Sequence, residues 1–251
     1  MNARPLLEAR GISKAYGHVQ ALSDVDLHVG HAETVALVGD NGAGKSTLLK
    51  IICGALHPDA GEISLDGEPA TFASPSDAAK RGIAVVYQDL ALVDTRDIAA
   101  NVFLGREPGR IFVSRRLMRR EARRVLDELK ITVPSVRTLV GQLSGGQRQT
   151  VAIARAVHQG GRLVIMDEPT AALGVEGQRK VLQLIDDLRR QGSSVVVISH
   201  NLEHVFSVAE RIVVLRGGRL VGTRRKSEAT PEEIVQMIVG AKSVAEAANG
   251  R

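Results

Sequence analysis

Tryptophan is absent from this 251-residue chain, tyrosine occurs twice and phenylalanine four times. With aromatics at 2%, the base-stacking platform that single-strand nucleic-acid binders combine with a basic groove has no material. Cys53 is the only cysteine, which excludes an internal disulfide and a multi-thiolate metal site. It reads as a small buried hydrophobe on a helix. No stretch approaches the ~18 consecutive apolar residues of a membrane-crossing helix. The N-terminal MNARPLLEARG has neither the apolar run nor the small-residue cleavage site of a signal peptide, so the cytoplasm is the expected location.

What is present fits a globular chain: 44% hydrophobic residues, 24% charged residues and a mean hydropathy of +0.00. A net charge of +5 and a pI near 9.6 point to an acidic partner, whether nucleic acid, anionic lipid headgroups or a triphosphate. The scarcity of aromatics makes nucleic acid the weakest of these.

Short apolar runs at 34–38, 83–87, 163–166, 195–198 and 212–215 end in Gly, Asp, Ser or similar residues and read as strands buried on both faces. Segments of helical period lie between them, at 46–56, 147–159 and 178–191. The alternation predicts an α/β fold with a mainly parallel sheet. Residues 6–16, 21–29 and 62–65 alternate as antiparallel strands do, and predict a small N-terminal β subdomain. From about 89 to 145 strand signals vanish, so a helical subdomain is expected to be inserted there. Its clearest helix, 116–129, puts Met118, Ala122, Val125 and Leu129 on one face and crowds arginines over the rest, which reads as a solvated face rather than a binding patch. One domain is expected over 1–242, followed by a disordered tail at 243–251.

Gly39-Asp-Asn41-Gly42-Ala-Gly44-Lys45-Ser46 matches G-x-x-x-x-G-K-[ST], and it lies between a strand and a helix, where that motif must lie. Glycines let backbone N–H groups turn inward around phosphate oxygens, and the helix N-terminus adds its positive field. Lys45 is expected on the β- and γ-phosphates and Ser46 on Mg²⁺, with Thr47 bonding phosphate or packing the turn. The apolar run 163–166 delivers Asp167 and Glu168 at a strand end, where open α/β sheets bind ligands. Asp167 is assigned to Mg²⁺ and Glu168 to the attacking water as general base. The run 195–198 leads into Ser199 and His200. Two readings stand for it: a contact to the γ-phosphate that also holds Glu168 and the water, or a cap on the next helix. Gln88, after the run 83–87, is a neutral side chain able to reach metal or water.

Leu143-Ser144-Gly145-Gly146-Gln147 supplies a second phosphate-binding helix N-terminus in a chain that already has one. LSGGQ resembles the signature motif of ABC ATPases, and the resemblance runs from about residue 6 to 241. It implies that Ser144, Gly145, Gly146 and Gln147 face the nucleotide of an opposing subunit, that Tyr16 stacks on adenine, and that Gln88 is the Q-loop glutamine. Asp167 and Glu168 would be the Walker B pair and His200 the switch histidine. A dimeric ATP sandwich coupled to integral-membrane permease subunits follows from the same resemblance. Against the family's usual Ser-Ala-Leu-Asp, residues 171–174 read Ala-Ala-Leu-Gly, which bears on communication between the two sites.

Ala-Ala-Leu-Gly is itself similar to the sugar-import branch of that family, as are 82–92 and 101–107, which resemble the ribose, xylose and fructose importers. A monosaccharide importer is therefore expected, fed indirectly by a sugar-binding protein, with ATP and Mg²⁺ as cofactors. A small-molecule kinase lacks the signature motif. A chromosome-maintenance ATPase would insert a long coiled coil; exporters commonly fuse the cassette to membrane helices, and an exporter or non-sugar importer stays open as the alternative. No nucleic-acid partner is expected.

Overall fold

The computed structural model describes residues 4–108 and 114–240. The tail expected to be disordered, 243–251, lies outside the described residues.

Strand β1 (Leu7–Tyr16) pairs antiparallel with β2 (Val19–Val29) and with β4 (Ala60–Leu65), and the two-residue β5 (Glu68–Pro69) extends this sheet beyond β4. The second sheet holds six strands in the order β10-β9-β3-β8-β7-β6. These are β3 (Thr34–Val38), β6 (Ile83–Val86), β7 (Leu163–Asp167), β8 (Ser194–Ile198), β9 (Arg211–Arg216) and β10 (Arg219–Arg225). All neighbours are parallel except β10, which turns back on β9.

The period of two decides which side of this sheet each apolar side chain fills. Leu163 and Ile165 join the core shared with the N-terminal sheet and α1 (Lys45–Ile52), whereas Val164 and Met166 face the helical layer. Every residue of β3 and β8 is buried, as continuous apolar runs require when helices or a second sheet cover both faces. Helix α1 stops short of the expected 56 because Gly54, at φ 73°, takes the left-handed conformation that ends helices.

Between β5 and β7 lie α2 (Pro75–Lys80), α3 (Ile98–Val102), α4 (Arg115–Glu128) and α5 (Gly145–His158). Ile98, Val102, Met118, Ala122, Leu126, Val151 and Ile153 form one apolar cluster that binds the inserted helices to the sheet. On the outer face of α4, Arg124 pairs with Glu121 at 2.9 Å and with Glu128 at 2.7 Å, and Arg120 pairs with Glu121. The arginine run thus includes neutralised surface charge, as expected for a solvated helix face. Helices α6 (Val175–Arg190), α7 (Leu202–Val208) and α8 (Pro231–Val239) complete the cover.

Candidate active site at the strand ends

The loop between β3 and α1 is built around two glycines. A Cβ on Gly39 would stand 2.2 Å from the carbonyl oxygen of Leu215, and one on Gly44, at φ 101°, would meet Leu22 at 2.6 Å and the Ala21 carbonyl at 2.7 Å. Close backbone approach therefore dictates glycine at both ends of the loop. Asn41 and Gly42 form its exposed crest. Lys45 opens α1, and its Nζ donates to the carbonyls of Gly39 (2.7 Å) and Asp40 (2.9 Å). Partial burial lowers the Lys45 pKa, while Glu168, Asp167 and Asp40 oppose that shift. The cation thus sits in the field of both strand-end carboxylates. Ser46 and Thr47 follow in the first turn, with Ser46 exposed.

Asp167 ends β7, the second strand over from β3, with β8 between them. Burial and the negative charge of Glu168 push its carboxyl above the usual range, and Lys45 pulls it back. Its carboxylate accepts no hydrogen bond from any described residue. Glu168 adopts φ 49°, unusual for a residue with a Cβ, and its backbone N–H donates to the Ile198 carbonyl at 2.8 Å. Its carboxylate accepts from His200 through both the backbone N–H (3.1 Å) and the ring Nδ1 (2.8 Å), and from the Ser199 hydroxyl (3.4 Å). An Nδ1–H donating to the carboxylate leaves Nε2 of the ring, whose side chain is 76% exposed, facing outward.

Of the two readings of His200, the helix cap is excluded: Asn201 caps α7, accepting the His204 N–H at 3.2 Å. Ser199, buried at the strand end, also escaped the sequence reading as a partner of Glu168; its place directly after the apolar run 195–198 was the available signal. Thr170, 4% exposed, and His204 are a further pair that sequence did not join, with Oγ1 and Nδ1 2.9 Å apart.

Gln88 lies exposed just beyond β6, and Tyr16, 48% exposed, ends β1. Cys53 is buried, as its reading required, and contacts the Tyr87 hydroxyl at 3.5 Å.

Ser144 begins α5 with a reciprocal capping box. Its hydroxyl accepts the Gln147 N–H at 3.3 Å, and the Gln147 side chain accepts the Ser144 N–H at 3.0 Å. Gly146 packs on Gly177 of α6 so tightly that a Cβ would come within 3.0 Å of the Gly177 Cα. Among the described residues no hydrogen bond links this helix start to the loop of Lys45, so one chain carries two separate phosphate-suited N-termini. A groove of about 560 Å³ on the inserted helices is lined by Val93, Arg96, Leu104, Arg119, Arg137 and Leu139 among others. No helix among the described residues is long and apolar enough to cross a membrane.

Residues 22–171 match the family model described as ABC transporter. The chain is 45% identical, over 93% of both chains, to the xylose/arabinose import ATP-binding protein of Sulfolobus acidocaldarius. It is 48% identical, over 96% of both, to the fructose import ATP-binding protein of Rhizobium meliloti. Of the ribose import ATP-binding protein of Rubrobacter xylanophilus, 46% identical over 94% of this chain, it spans 47%. A nucleotide-free ATP-binding cassette from an ABC transporter superposes with a TM-score of 0.82 at 24% identity, covering 98% of this chain and 100% of that one. A dimeric cassette bound to ADP and phosphate superposes at 0.75 with 29% identity, covering 88% and 98%. A phosphate loop, a strand-end acid pair and a capped LSGGQ helix, carried on the fold of those cassettes, are accounted for together: this chain belongs to the ABC transporter family of ATP-binding cassettes.

Proposed function

We propose that this chain hydrolyses ATP to drive a membrane importer of a monosaccharide, working as one half of a cassette dimer. The observation that carries the reading is the presence in one chain of two phosphate-suited helix starts, at Lys45 and at Ser144, joined by no hydrogen bond among the described residues. A second copy supplies each site with the half it lacks. In this reading the amides of Gly39, Asn41, Gly42 and Gly44 cradle the phosphates, Lys45 neutralises the β–γ bridge, Thr47 steadies the turn and Tyr16 stacks on the base. Ser144, Gly145, Gly146 and Gln147 grip the γ-phosphate held by the partner.

The hydroxyl of Ser46, the carboxylate of Asp167 and the amide of Gln88 are hard oxygen donors of the kind Mg²⁺ takes, sharing the ion with phosphates and water. Asp167, raised by burial and by Glu168 and unpartnered among the described residues, is suited to receive a cation. Mg²⁺ supplies charge neutralisation at the phosphates when bound. Glu168 takes the proton of the attacking water, and His200, now on its carboxylate, turns its ring toward the γ-phosphate. Integral-membrane permease subunits dock at the groove near 88–107, where Val93, Leu104 and Leu139 are exposed beside arginines. The chain is then peripheral at the cytoplasmic face, and a sugar-binding protein acts on it only through the permease. The relatives' names, xylose/arabinose, fructose and ribose import, support the monosaccharide.

Glu168→Gln tests the reading. Phosphate release should fall ~10²–10⁴-fold while ATP stays bound, so size-exclusion chromatography should give a dimer with Mg·ATP and a monomer with Mg·ADP. Adding Lys45→Ala should abolish that dimer. Near-wild-type hydrolysis by Glu168→Gln would transfer the base role to another group. With permease and binding protein present, turnover that fails to rise with any pentose or hexose would overturn the sugar assignment alone.

A further inference from the structure

We propose that His204 is a positioning residue for ATP hydrolysis, fixing through Thr170 the backbone segment that carries Glu168. The inference rests on the reading of Glu168 as the residue that orients the attacking water.

Residues 168–172 turn the chain from β7 toward α6 by an unusual path. Glu168 has φ 49° and Ala172 φ 56°, and neither is glycine, so both ends of the segment hold a conformation that L side chains disfavour. Such a backbone persists only where its surroundings over-determine it. Within the turn the Ala171 N–H donates to the Glu168 carbonyl at 3.1 Å, and Pro169 has no N–H to give. Thr170, midway between the two strained residues, is 4% exposed, and the partner of its hydroxyl is the His204 ring, 2.9 Å away.

His204 is well held from its own side. Its backbone N–H is bound by the Asn201 cap, and the next residue, Val205, is fully buried between α7 and the sheet. Beyond the Glu168 N–H held by the Ile198 carbonyl, side chains from the start of α7 and its approach fasten the 168–172 segment at two points, Glu168 through Ser199 and His200, and Thr170 through His204. The first fastening, His200 to Glu168, involves the groups that must turn to water and phosphate. Once they turn, that contact no longer holds the backbone. The second, His204 to Thr170, touches no reacting group and persists. Its loss lets the Glu168 carboxylate drift while the phosphate loop, on another strand, is undisturbed. Turnover should suffer and nucleotide affinity should not.

The experiment is a double-mutant cycle on the complete transporter, reading kcat and KM for ATP separately. His204→Ala and Thr170→Val should each lower kcat roughly 10- to 100-fold, the cost of a small misplacement of a reacting group. KM and equilibrium ATP binding should stay within about twofold of wild type, as expected when only a transition-state interaction is lost. The double variant should be no slower than the slower single one, because both remove one contact. His204→Asn, whose amide reaches the position of Nδ1, should recover most of the rate. A fall in thermal stability with kcat unchanged would make the contact merely structural and overturn the proposal, as would additive losses or a KM rise matching the fall in kcat. Should His204→Ala misfold, Thr170→Val keeps the buried shape and carries the same test. Wild-type hydrolysis by Glu168→Gln would remove the parent reading. An inactive Glu168→Gln beside a fully active Thr170→Val would remove this proposal alone.

Discussion

The ammonium of Lys45 lies 2.7 Å from the carbonyl oxygen of Gly39, six residues earlier, so the side chain closes the loop it belongs to. A cation that already bonds the loop backbone is oriented before any phosphate arrives. Lys45→Ala should therefore cost both roles, lowering phosphate release by at least ~10²-fold, as loss of one preorganised charged donor does. The buried strands are untouched, so the thermal midpoint should move little. Phosphate release and a melt on one preparation check both halves.

Asp167 gives the opposite pattern. Its carboxyl is pushed up by burial and by Glu168, so ionisation is disfavoured in the folded chain. A raised carboxylate pKa means the folded state holds its proton longer than the unfolded state. Stability then falls as pH rises from the ordinary aspartate range through the folded value, and the deficit persists at neutral pH. Asp167→Asn should raise the melting temperature of the nucleotide-free protein at pH 7 by a few degrees while erasing the stabilisation given by Mg·ATP. A lower melting temperature without nucleotide would contradict it.

Arg211 and Glu33 make the opposite kind of pair. Burial alone would raise the Glu33 carboxyl, but Arg211 at 2.8 and 2.9 Å and the Gly30 N–H at 2.6 Å hold it below its ordinary 4.5. The resulting stability is fully present above that ordinary value and is lost as pH falls through the lower folded one. Arg211→Met should cost ~1–3 kcal/mol at pH 7, the pair being only partly exposed. The gap between wild-type and variant melting temperatures should narrow as pH falls below 4.5 and close once Glu33 is protonated in the folded chain.

Gly177 sets how closely α6 meets the LSGGQ helix. A Cβ there would lie 3.4 Å from the Gly146 Cα, ordinary contact, so Gly177→Ala should be tolerated. Gly177→Leu should cost ~1–3 kcal/mol by overpacking and weaken ATP-dependent dimer formation with it. Chromatography with Mg·ATP separates the two variants.

Much of this was legible because it is local. Five apolar runs became the parallel strands, and the loop, the acid pair and LSGGQ each sit at the strand end or helix start that their chemistry demands. β10 escaped because Arg219, Arg224 and Arg225 leave an edge strand without an apolar rhythm, although Gly217-Gly218, at φ 54° and 75°, is a strong hairpin signal. α8 had its cap in Thr230-Pro231, also unused. What no reading of one sequence joins are side chains distant along the chain, such as Thr170 with His204, or Glu33 with Arg211. Those pairings exist only after the sheet has set the strand order.

That order has a consequence for the chain as it is made. β3 carries the phosphate loop near the N-terminus, yet its two sheet neighbours are β8 and β9. On the ribosome the loop is complete early and stands without a strand on either side until residues past 194 emerge. A nascent chain lacking β8 and β9 displays the whole G-x-x-x-x-G-K-S motif on a strand with no partner in its sheet. Competence to hold nucleotide therefore waits for β8 and β9, and ATP in the surrounding solution favours chains in which those strands have paired with β3.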